Sequence, residues 1–585
     1  MHKTFAMLLA LLIALSFCCG CGDDENVIKG AGHSFSYTLV GNPDTLDPQL
    51  AENASAMTVL ANLFEGLLVL DAEGKLQNGV AESYSLSDDQ KCYTFKLRRD
   101  CYWYQAYGDE AETDQPYGEE AAVPVTAHDF EFAFRRLFDF NYTAPNAAAF
   151  SCLANARKIL DHSLSPSQLG VKALSDYELE FTLDYPNSGF PLLLTSCAAL
   201  PCNQAYFEST KGRYGLDEES IIGNGSFSMK RWLYDEYGQY NVIQLTRNPL
   251  NHKVRRVFPT DLNLYIEKTD ADAAKIFTTG NTDCYVSTQS ALINRADYHA
   301  ESAYSLTLGL IANPDSHFAN ENVLGALAKT LDRSLFPDGT PDIMPASGIL
   351  PPAVQLLNKS CRDLIADTAY QVYDPNEADR LYHKALRKLH ISELEEGKIM
   401  VCAGMMDYGI LHDVLLTWGS ELDLHFSIEE VPESEYEARL RSGDYVLALY
   451  AVTGAYHDAT AVLESFLADE NLRCTEQAAV RRLLERAAAA PALADCVELY
   501  RQAEELLLSD YCFIPLFYKQ RYLICKNGVS DVVFNPFSGQ VEFSQAKYYL
   551  SYGTSPAAGR SISQQMSIKH KRGVICAQSH GMSTG

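Results

Sequence analysis

The longest nearly continuous apolar segment of this chain lies at its N-terminus. Phe5 to Phe17 is almost entirely apolar and follows Lys3, a pattern typical of a secretory signal peptide. The segment is shorter than the ~20 apolar residues of a transmembrane helix, and no later stretch is long and apolar enough to span a bilayer. The rest of the chain must therefore bury its apolar residues, 47% of the whole, in domains folded in water. We predict a signal peptide over residues 1–20.

Three cysteines, Cys18, Cys19 and Cys21, end the apolar segment and precede a polar run. A small residue before a cysteine at such a place resembles a bacterial lipobox, and Gly20 before Cys21 fits best, although Cys18 stands where that pattern favours Leu. We predict lipid attachment at Cys21 and a tether over residues 21–33. Two acyl chains would anchor the protein stably to the cell membrane, facing the periplasm or the exterior. The alternative is ordinary secretory cleavage nearby.

The charge balance argues against one class of partner. The chain has 76 acidic and 47 basic residues, a net charge of −29, whereas binding to nucleic acid needs a basic face. We therefore expect no nucleic-acid partner. Residues 551–585 reverse this balance and are rich in Ser and Gly, so we predict a disordered tail there.

The sequence contains no recognisable catalytic motif and no recognisable metal motif. Phosphate-binding, dinucleotide-binding, zinc-protease and calcium-loop patterns are missing, and GxSxG occurs only in the last five residues, where no helix can follow. CxxC occurs only at Cys18 and Cys21. The other 13 cysteines are scattered, and we expect most of them to be reduced. We predict a protein without enzymatic activity, metal or cofactor; the alternative is a hydrolase of unrecognised type.

Strand and helix patterns both occur along the chain. Apolar residues alternate at 35–39 and 93–97, as in half-buried strands. Residues 126–129 resemble a capping box before an amphipathic helix, and residues 374–377 combine an N-cap, a Pro at the first helical position and a Glu at the third. Further helices are predicted over 475–489 and 493–508, separated at Pro491. This mixture predicts an α/β protein.

Several segments, in order, resemble motifs of the family 5 extracellular solute-binding proteins, the oligopeptide-binding type of ABC importers. They are LDP at 46–48, NLFEGLL at 62–68, GVAESY at 79–84, YTFKLR at 93–98, VTAHDF at 125–130, GNGSF at 223–227, RNP at 247–249, ALAKTLDR at 326–333 and IPL at 514–516. Gly79, Gly223 and Gly225 within them suit tight turns where a side chain would clash.

The resemblance implies a periplasmic-binding-protein-like, two-lobed clamshell of type II with an extra domain. A discontinuous domain I would comprise residues 34–70, 190–290 and 512–550. Domain II would comprise residues 71–189, and domain III residues 291–511. The implied function is the membrane-anchored solute-binding component of an ABC importer, which captures oligopeptides between its lobes and delivers them to permease and ATPase subunits. The alternatives are the same fold binding a non-peptide solute, or acting as a peptide-sensing receptor.

The resemblance also points to ligand-binding residues. In oligopeptide-binding members a Trp-x-x-Asp-Tyr stretch lines the cleft, and its Asp pairs with the terminal ammonium of the peptide. The aligned candidates here are Val452, Thr453, Gly454, Ala455 and Tyr456, followed by Asp458. Ala455 occupies the Asp position and cannot pair with an ammonium, and an unpaired buried charge costs several kcal/mol, roughly. Either Asp458 replaces that anchor, or the ligand has no free ammonium there.

Two of these candidates have a structural alternative. Asp458 could instead cap the helix that follows it. Trp103, which stands where the family has a Trp, could stack on a ligand or fill the interior of a lobe.

Overall fold

The computed structural model describes residues 33–106, 122–142, 144–238, 240–333, 342–356, 359–365, 372–394, 396–406, 408–454 and 457–549. The predicted signal peptide, Cys21, the tether up to residue 32 and the predicted tail lie outside these ranges, as do Ala455 and Tyr456.

The α-helices of the described residues are α1 (Ala54–Leu63), α2 (Ala127–Leu137), α3 (Ala156–Leu160), α4 (Phe190–Leu193), α5 (Gln204–Ser209), α6 (Asp270–Thr278), α7 (Glu321–Lys329), α8 (Cys361–Leu364), α9 (Pro375–Leu389), α10 (Tyr408–Leu422), α11 (Glu433–Ser442), α12 (Ala459–Ala468), α13 (Gln477–Ala488) and α14 (Leu493–Leu508).

The strands are β1 (His33–Val40), β2 (Leu68–Leu70), β3 (Leu76–Asn78), β4 (Ala81–Leu86), β5 (Cys92–Leu97), β6 (Tyr102–Trp103), β7 (Val123–Pro124), β8 (Val171–Ser175), β9 (Glu178–Thr182), β10 (Phe227–Leu233), β11 (Val242–Arg247), β12 (Pro259–Glu267), β13 (Cys284–Ser287), β14 (Tyr298–Ala312), β15 (Ile343–Pro345), β16 (Gln355–Leu356), β17 (Lys359–Ser360), β18 (Gly397–Cys402), β19 (Phe426–Val431), β20 (Leu447–Val452), β21 (Ile514–Lys526), β22 (Val529–Ser530), β23 (Val533–Phe534), β24 (Val541–Glu542) and β25 (Lys547–Tyr548).

The predicted helix starts are confirmed. Thr126 and Asp129 form a capping box at the start of α2. Asp374 accepts a hydrogen bond of 3.0 Å from the Glu377 N–H, and Pro375 occupies the first position of α9. Helices α13 and α14 lie within the predicted ranges, because capping and apolar periodicity are local signals.

One large sheet runs through the molecule in the order β10-β11-β12-β1-β13-β21-β14-β20-β18-β19, with β15 beside β21. Its two longest strands, β14 with 15 residues and β21 with 13, pair antiparallel over most of their length. We call the residues before β14 and after β21 the first lobe, and those between these two strands the second lobe. The chain enters the second lobe through β14 and leaves it through β21. The molecule therefore has the arrangement of a two-lobed clamshell.

A separate four-stranded sheet, β4-β5-β9-β8, lies in the first lobe and packs against α2. Phe181 of β9 lies at the centre of this contact, with its ring centroid 5.1 Å from that of Phe134 on α2 and 5.7 Å from that of Phe95 on β5. The alternation predicted over 93–97 is confirmed, because Tyr93, Phe95 and Leu97 are all buried.

Alternation also organises the second lobe. Along β20, Leu447 and Leu449 point into one apolar cluster, whereas Ala448 and Val452 point into another on the opposite face. Helices α7, α9 and α10 contribute to the first cluster and α12, α13 and α14 to the second. No helix among the described residues has the length and apolar character needed to cross a membrane. The predicted domain boundaries remain a prediction.

The NLFEGLL and GNGSF segments are joined in the fold. The Asn224 side-chain amide donates to the Glu65 carbonyl oxygen at 2.8 Å, and the Glu65 N–H donates back to Asn224 at 3.0 Å. A Cβ added at Gly223 or Gly225 would overlap the backbone of Leu63, so the expectation that these positions need glycine is confirmed.

Candidate functional site

The candidate site begins where β20 ends and α12 starts. Asp458 is the N-cap of α12, and its Oδ1 accepts a hydrogen bond of 2.9 Å from the Ala461 N–H. An acidic side chain suits this place, because the first N–H groups of a helix lack intrahelical partners and its dipole is positive there. The capping alternative for Asp458 is thus the geometry observed.

Val452, Thr453 and Gly454 lie in surroundings that indicate a structural role. Val452 is 4% exposed and packs in the core of the second lobe. The Thr453 hydroxyl lies 3.3 Å from the Ser305 carbonyl oxygen and 3.1 Å from that of Phe537, so it bridges two backbone segments. Gly454 is buried. Ligand contact by these three residues stays a prediction.

Trp103 lies away from this segment. Its side chain is completely buried in the first lobe, its Nε1 lies 3.3 Å from Oδ2 of Asp129, and its ring meets Phe64 edge-on at 6.2 Å. Trp103 therefore fills the interior of the lobe in this conformation, and it does not line the cavity beside Asp458. Stacking on a ligand remains untested.

Asp458 faces a cavity between the two lobes. The cavity is small, with room for about one water molecule, and it is partly open to solvent. The first lobe contributes Ala149, Ser151, Cys152, Tyr185, Asn187 and Leu193, and the second lobe contributes Asp458, Thr460, Ala461 and Glu464. A ligand here would touch both lobes at once.

Close approach of the lobes at this point depends on Gly189. A Cβ added at Gly189 would lie 2.7 Å from Oδ2 of Asp458, nearer than two non-bonded atoms tolerate. The Gly189 N–H donates to the Asn187 side chain at 2.9 Å, which holds the turn in place. The absence of a side chain at Gly189 thus lets the first lobe reach the carboxylate of the second.

The Asp458 carboxylate has a raised pKa. Burial raises it, and the hydrogen bonds from the Ala461 and Thr460 N–H groups act in the opposite direction without cancelling the effect. Among the described residues, no cationic side chain pairs with Asp458, so the cavity holds a carboxylate whose burial is not compensated by a positive charge.

A second group of charges joins the lobes at the far side of the cavity. Arg157, on α3 of the first lobe, lies 3.4 Å from Glu464 on α12 and also pairs with Glu485 on α13. Glu464 is nearly buried and lies 3.8 Å from Arg481. Burial raises the pKa of Glu464, and the charges of Arg157 and Arg481 partly offset this. Sequence reasoning missed this network, because Arg157 is 307 positions from Glu464 and 328 positions from Glu485 and the residues belong to no motif.

Two groups of potential metal ligands occur among the described residues, both outside the cavity. Asp100, Cys101 and His252 form one group. His252 already bonds Glu65 through Nε2 at 2.8 Å, so that nitrogen is occupied. The other group, around Cys474, is considered below.

The chain matches the profile of the bacterial extracellular solute-binding proteins, family 5 Middle, over residues 75–473. Among curated proteins it is 27% identical over 511 residues to the periplasmic oligopeptide-binding protein OppA of Haemophilus influenzae, covering 81% of this chain and 86% of that protein. It is 26% identical to OppA of Salmonella typhimurium, covering 88% and 92%. It is also 23% identical to the "Probable deoxycholate-binding periplasmic protein YgiS" of Escherichia coli, covering 83% and 88%.

Solved structures agree on the fold. Listeria monocytogenes OppA bound to peptide superposes with a TM-score of 0.70 at 21% identity, covering 89% of this chain and 100% of that one. The pheromone receptor PrgZ superposes with a TM-score of 0.71 at 20% identity, again covering 89% and 100%. Because the profile covers more than half of the chain, this protein belongs to the family 5 bacterial extracellular solute-binding proteins, which are binding proteins rather than enzymes.

Proposed function

We propose that this protein captures oligopeptides between its lobes and delivers them to the permease and ATPase subunits of an ABC importer. The observation that carries the proposal is the cavity between the lobes, with the Asp458 carboxylate facing it. A ligand that contacts both lobes stabilises the closed clamshell relative to the open one, which is how such a protein signals that it is loaded.

Asp458 is the proposed partner of the peptide ammonium. Its Oδ1 accepts from the helix N–H, its Oδ2 lies next to Gly189, and the residue lines the cavity. An ammonium at Oδ2 would pair the buried charge and remove much of the burial cost that raises the carboxyl pKa. This arrangement would replace the Asp that the family carries at the position of Ala455.

Calorimetry with free and N-acetylated forms of one peptide tests the anchor. We expect Asp458→Asn to reduce affinity for the free peptide by about tenfold or more, the cost of losing a charged partner, and to leave the acetylated peptide unaffected. Asn retains an oxygen that can cap α12, so the fold should persist. Asp374→Asn, which alters the exposed cap of α9, is the matched control. Equal affinity of the wild-type protein for both peptides would remove the anchor.

The chemical class of the ligand is open to direct measurement. Native mass spectrometry of the purified protein should detect a co-purified peptide, and released ligand can be sequenced. A non-peptide solute is the second candidate, because Ala455 lacks the carboxylate that peptide binding employs in the family. Recovery of a non-peptide solute, together with no binding of free peptides, would favour that candidate over peptide capture.

The membrane anchor and the transport role complete the proposal. Lipid attachment at Cys21 would hold the protein at the outer face of the cell membrane, close to the permease. Deletion of the gene should abolish uptake of the bound peptide. Loss of a peptide response with unchanged uptake would instead indicate a sensing receptor.

A further inference from the structure

Two cysteines meet at the base of the helical hairpin formed by α13 and α14. Cys474 lies three residues before α13, and Cys512 lies between α14 and β21. Their Sγ atoms are 2.8 Å apart although the residues are 38 positions apart in the sequence. Both thiols are directed at the Leu507 carbonyl oxygen, at 3.9 Å from Cys474 and 3.5 Å from Cys512. The fold itself, rather than sequence proximity, brings the two sulfurs together.

From this geometry we propose that Cys474 and Cys512 form a disulfide in the exported protein. The two sulfurs already lie closer than unbonded sulfur atoms normally approach, so only a small movement separates them from the ~2.05 Å of a disulfide bond. The bond would link the segment before α13 covalently to the segment after α14. Helix α13 carries Arg481 and Glu485 of the interlobe charge network, so the bond would stiffen the support of that network.

A metal ion fits the same group less well. Two thiolates bound to one zinc ion at ~2.3 Å in a tetrahedral site lie about 3.8 Å apart, farther than the sulfurs seen here. Asp510, the third potential ligand, is already engaged: Oδ2 accepts from the Thr475 N–H at 2.9 Å and Oδ1 from the Cys512 N–H at 3.2 Å. Its carboxylate therefore holds the loop in which the two cysteines meet.

The oxidant is an external disulfide, of either a small molecule or a protein. The partly exposed Cys512 thiolate attacks one sulfur of that disulfide and releases the other as a thiol. The Cys474 thiolate then attacks Cys512 in the mixed disulfide, which forms the internal bond and releases the second external thiol. Two protein thiols are oxidised and one external disulfide is reduced to two thiols, so protons and electrons balance.

Peptide mapping tests this bond directly. The exported protein is alkylated under denaturing conditions without reductant and digested with trypsin. We expect peptide 474–481 linked to peptide 502–519, at a mass about 2 Da below the sum of the two reduced peptides, and released by reductant. Full alkylation of both cysteines, even after incubation with oxidised glutathione, would overturn the proposal, as would one equivalent of bound zinc by elemental analysis.

A melting experiment provides a second readout. Reductant should lower the Tm of the wild-type protein by roughly 3 °C, because it removes a cross-link that constrains the unfolded chain. Cys474→Ser and Cys512→Ser should abolish this response. Cys402→Ser should retain it, since Cys402 is a half-buried thiol whose Sγ lies 3.9 Å from the Ala403 carbonyl oxygen. A response that persists in both hairpin variants would contradict the assignment.

Discussion

Arg157 of the first lobe forms ion pairs with the second lobe, and we expect Arg157→Met to weaken ligand binding. Its guanidinium lies 3.4 Å from Glu464 and also pairs with Glu485. The substitution keeps an aliphatic stem and removes the charge. Glu464, only 7% exposed, would then retain Arg481 at 3.8 Å as its remaining cation. The closed state loses stability, whereas an open clamshell would hydrate Glu464.

The size of the effect follows from burial. Breaking a fully buried ion pair costs about 3–5 kcal/mol, and an exposed pair contributes about 0–1 kcal/mol. Arg157 and Glu485 are each 31% exposed and Glu464 keeps one partner, so an intermediate loss of about 1.4 kcal/mol is expected. A penalty confined to the closed state reduces its population and raises the apparent Kd by the same factor, roughly tenfold.

Isothermal titration with the identified ligand measures this effect, and X-ray scattering with and without ligand reports closure. Arg213→Met is the matched control, because it removes an exposed pair with Asp217 at 2.6 Å within the first lobe. We expect Arg213→Met to bind like the wild type. A double-mutant cycle with Glu464→Gln should show coupling between the two positions. Wild-type affinity and wild-type closure in Arg157→Met would refute the reasoning.

Three further predictions concern pH, packing and membrane attachment. Burial raises the pKa of Asp129 to about 6, so its contribution to stability is present at pH 4 and is lost as the pH rises through 6. The free energy of unfolding of Asp129→Asn, measured with urea, should therefore rise by about 2 kcal/mol relative to that of the wild type between pH 4 and pH 7.5. A difference between the two proteins that does not change with pH would contradict this. Gly225→Ala places a Cβ 2.7 Å from the Leu63 carbonyl carbon and should lower the free energy of unfolding by about 2–3 kcal/mol. The control is Gly419→Ala in α10, whose Cβ would have no neighbour nearer than 3.4 Å and which should not lower the free energy of unfolding. Equal losses in the two variants would contradict the packing argument. Cys21→Ser should abolish labelling by alkyne palmitate and release the protein from membranes, and retention of the label would refute attachment at Cys21.

Local features of this chain could be predicted from sequence because their causes lie within a few residues. The capping box of Thr126 and Asp129, the Asp374 N-cap and the alternation of Tyr93, Phe95 and Leu97 all appear in the structure as expected. The glycines of GNGSF were also predictable, since the motif implies a close backbone approach, although the atom approached, in Leu63, was not.

For Asp458 the sequence left two roles open. The structure shows the capping role, and the ligand contact stays a prediction. Capping by Oδ1 follows from local sequence, because it needs only the helix that comes next. The position of Oδ2 against Gly189, some 270 positions earlier in the chain, depends on the tertiary fold, because no local pattern relates the two residues.

The family, the α/β class and the helices α2, α9, α13 and α14 could be inferred from the sequence alone, because motifs and capping signals are short-range. The folded structure was needed to show which charges meet across the lobes, that Trp103 is enclosed in the first lobe, and that Cys474 lies against Cys512. The charge contacts between the lobes depend on how the long strands β14 and β21 orient the two lobes. Contacts between distant segments arise from the global fold, which no single stretch of residues specifies.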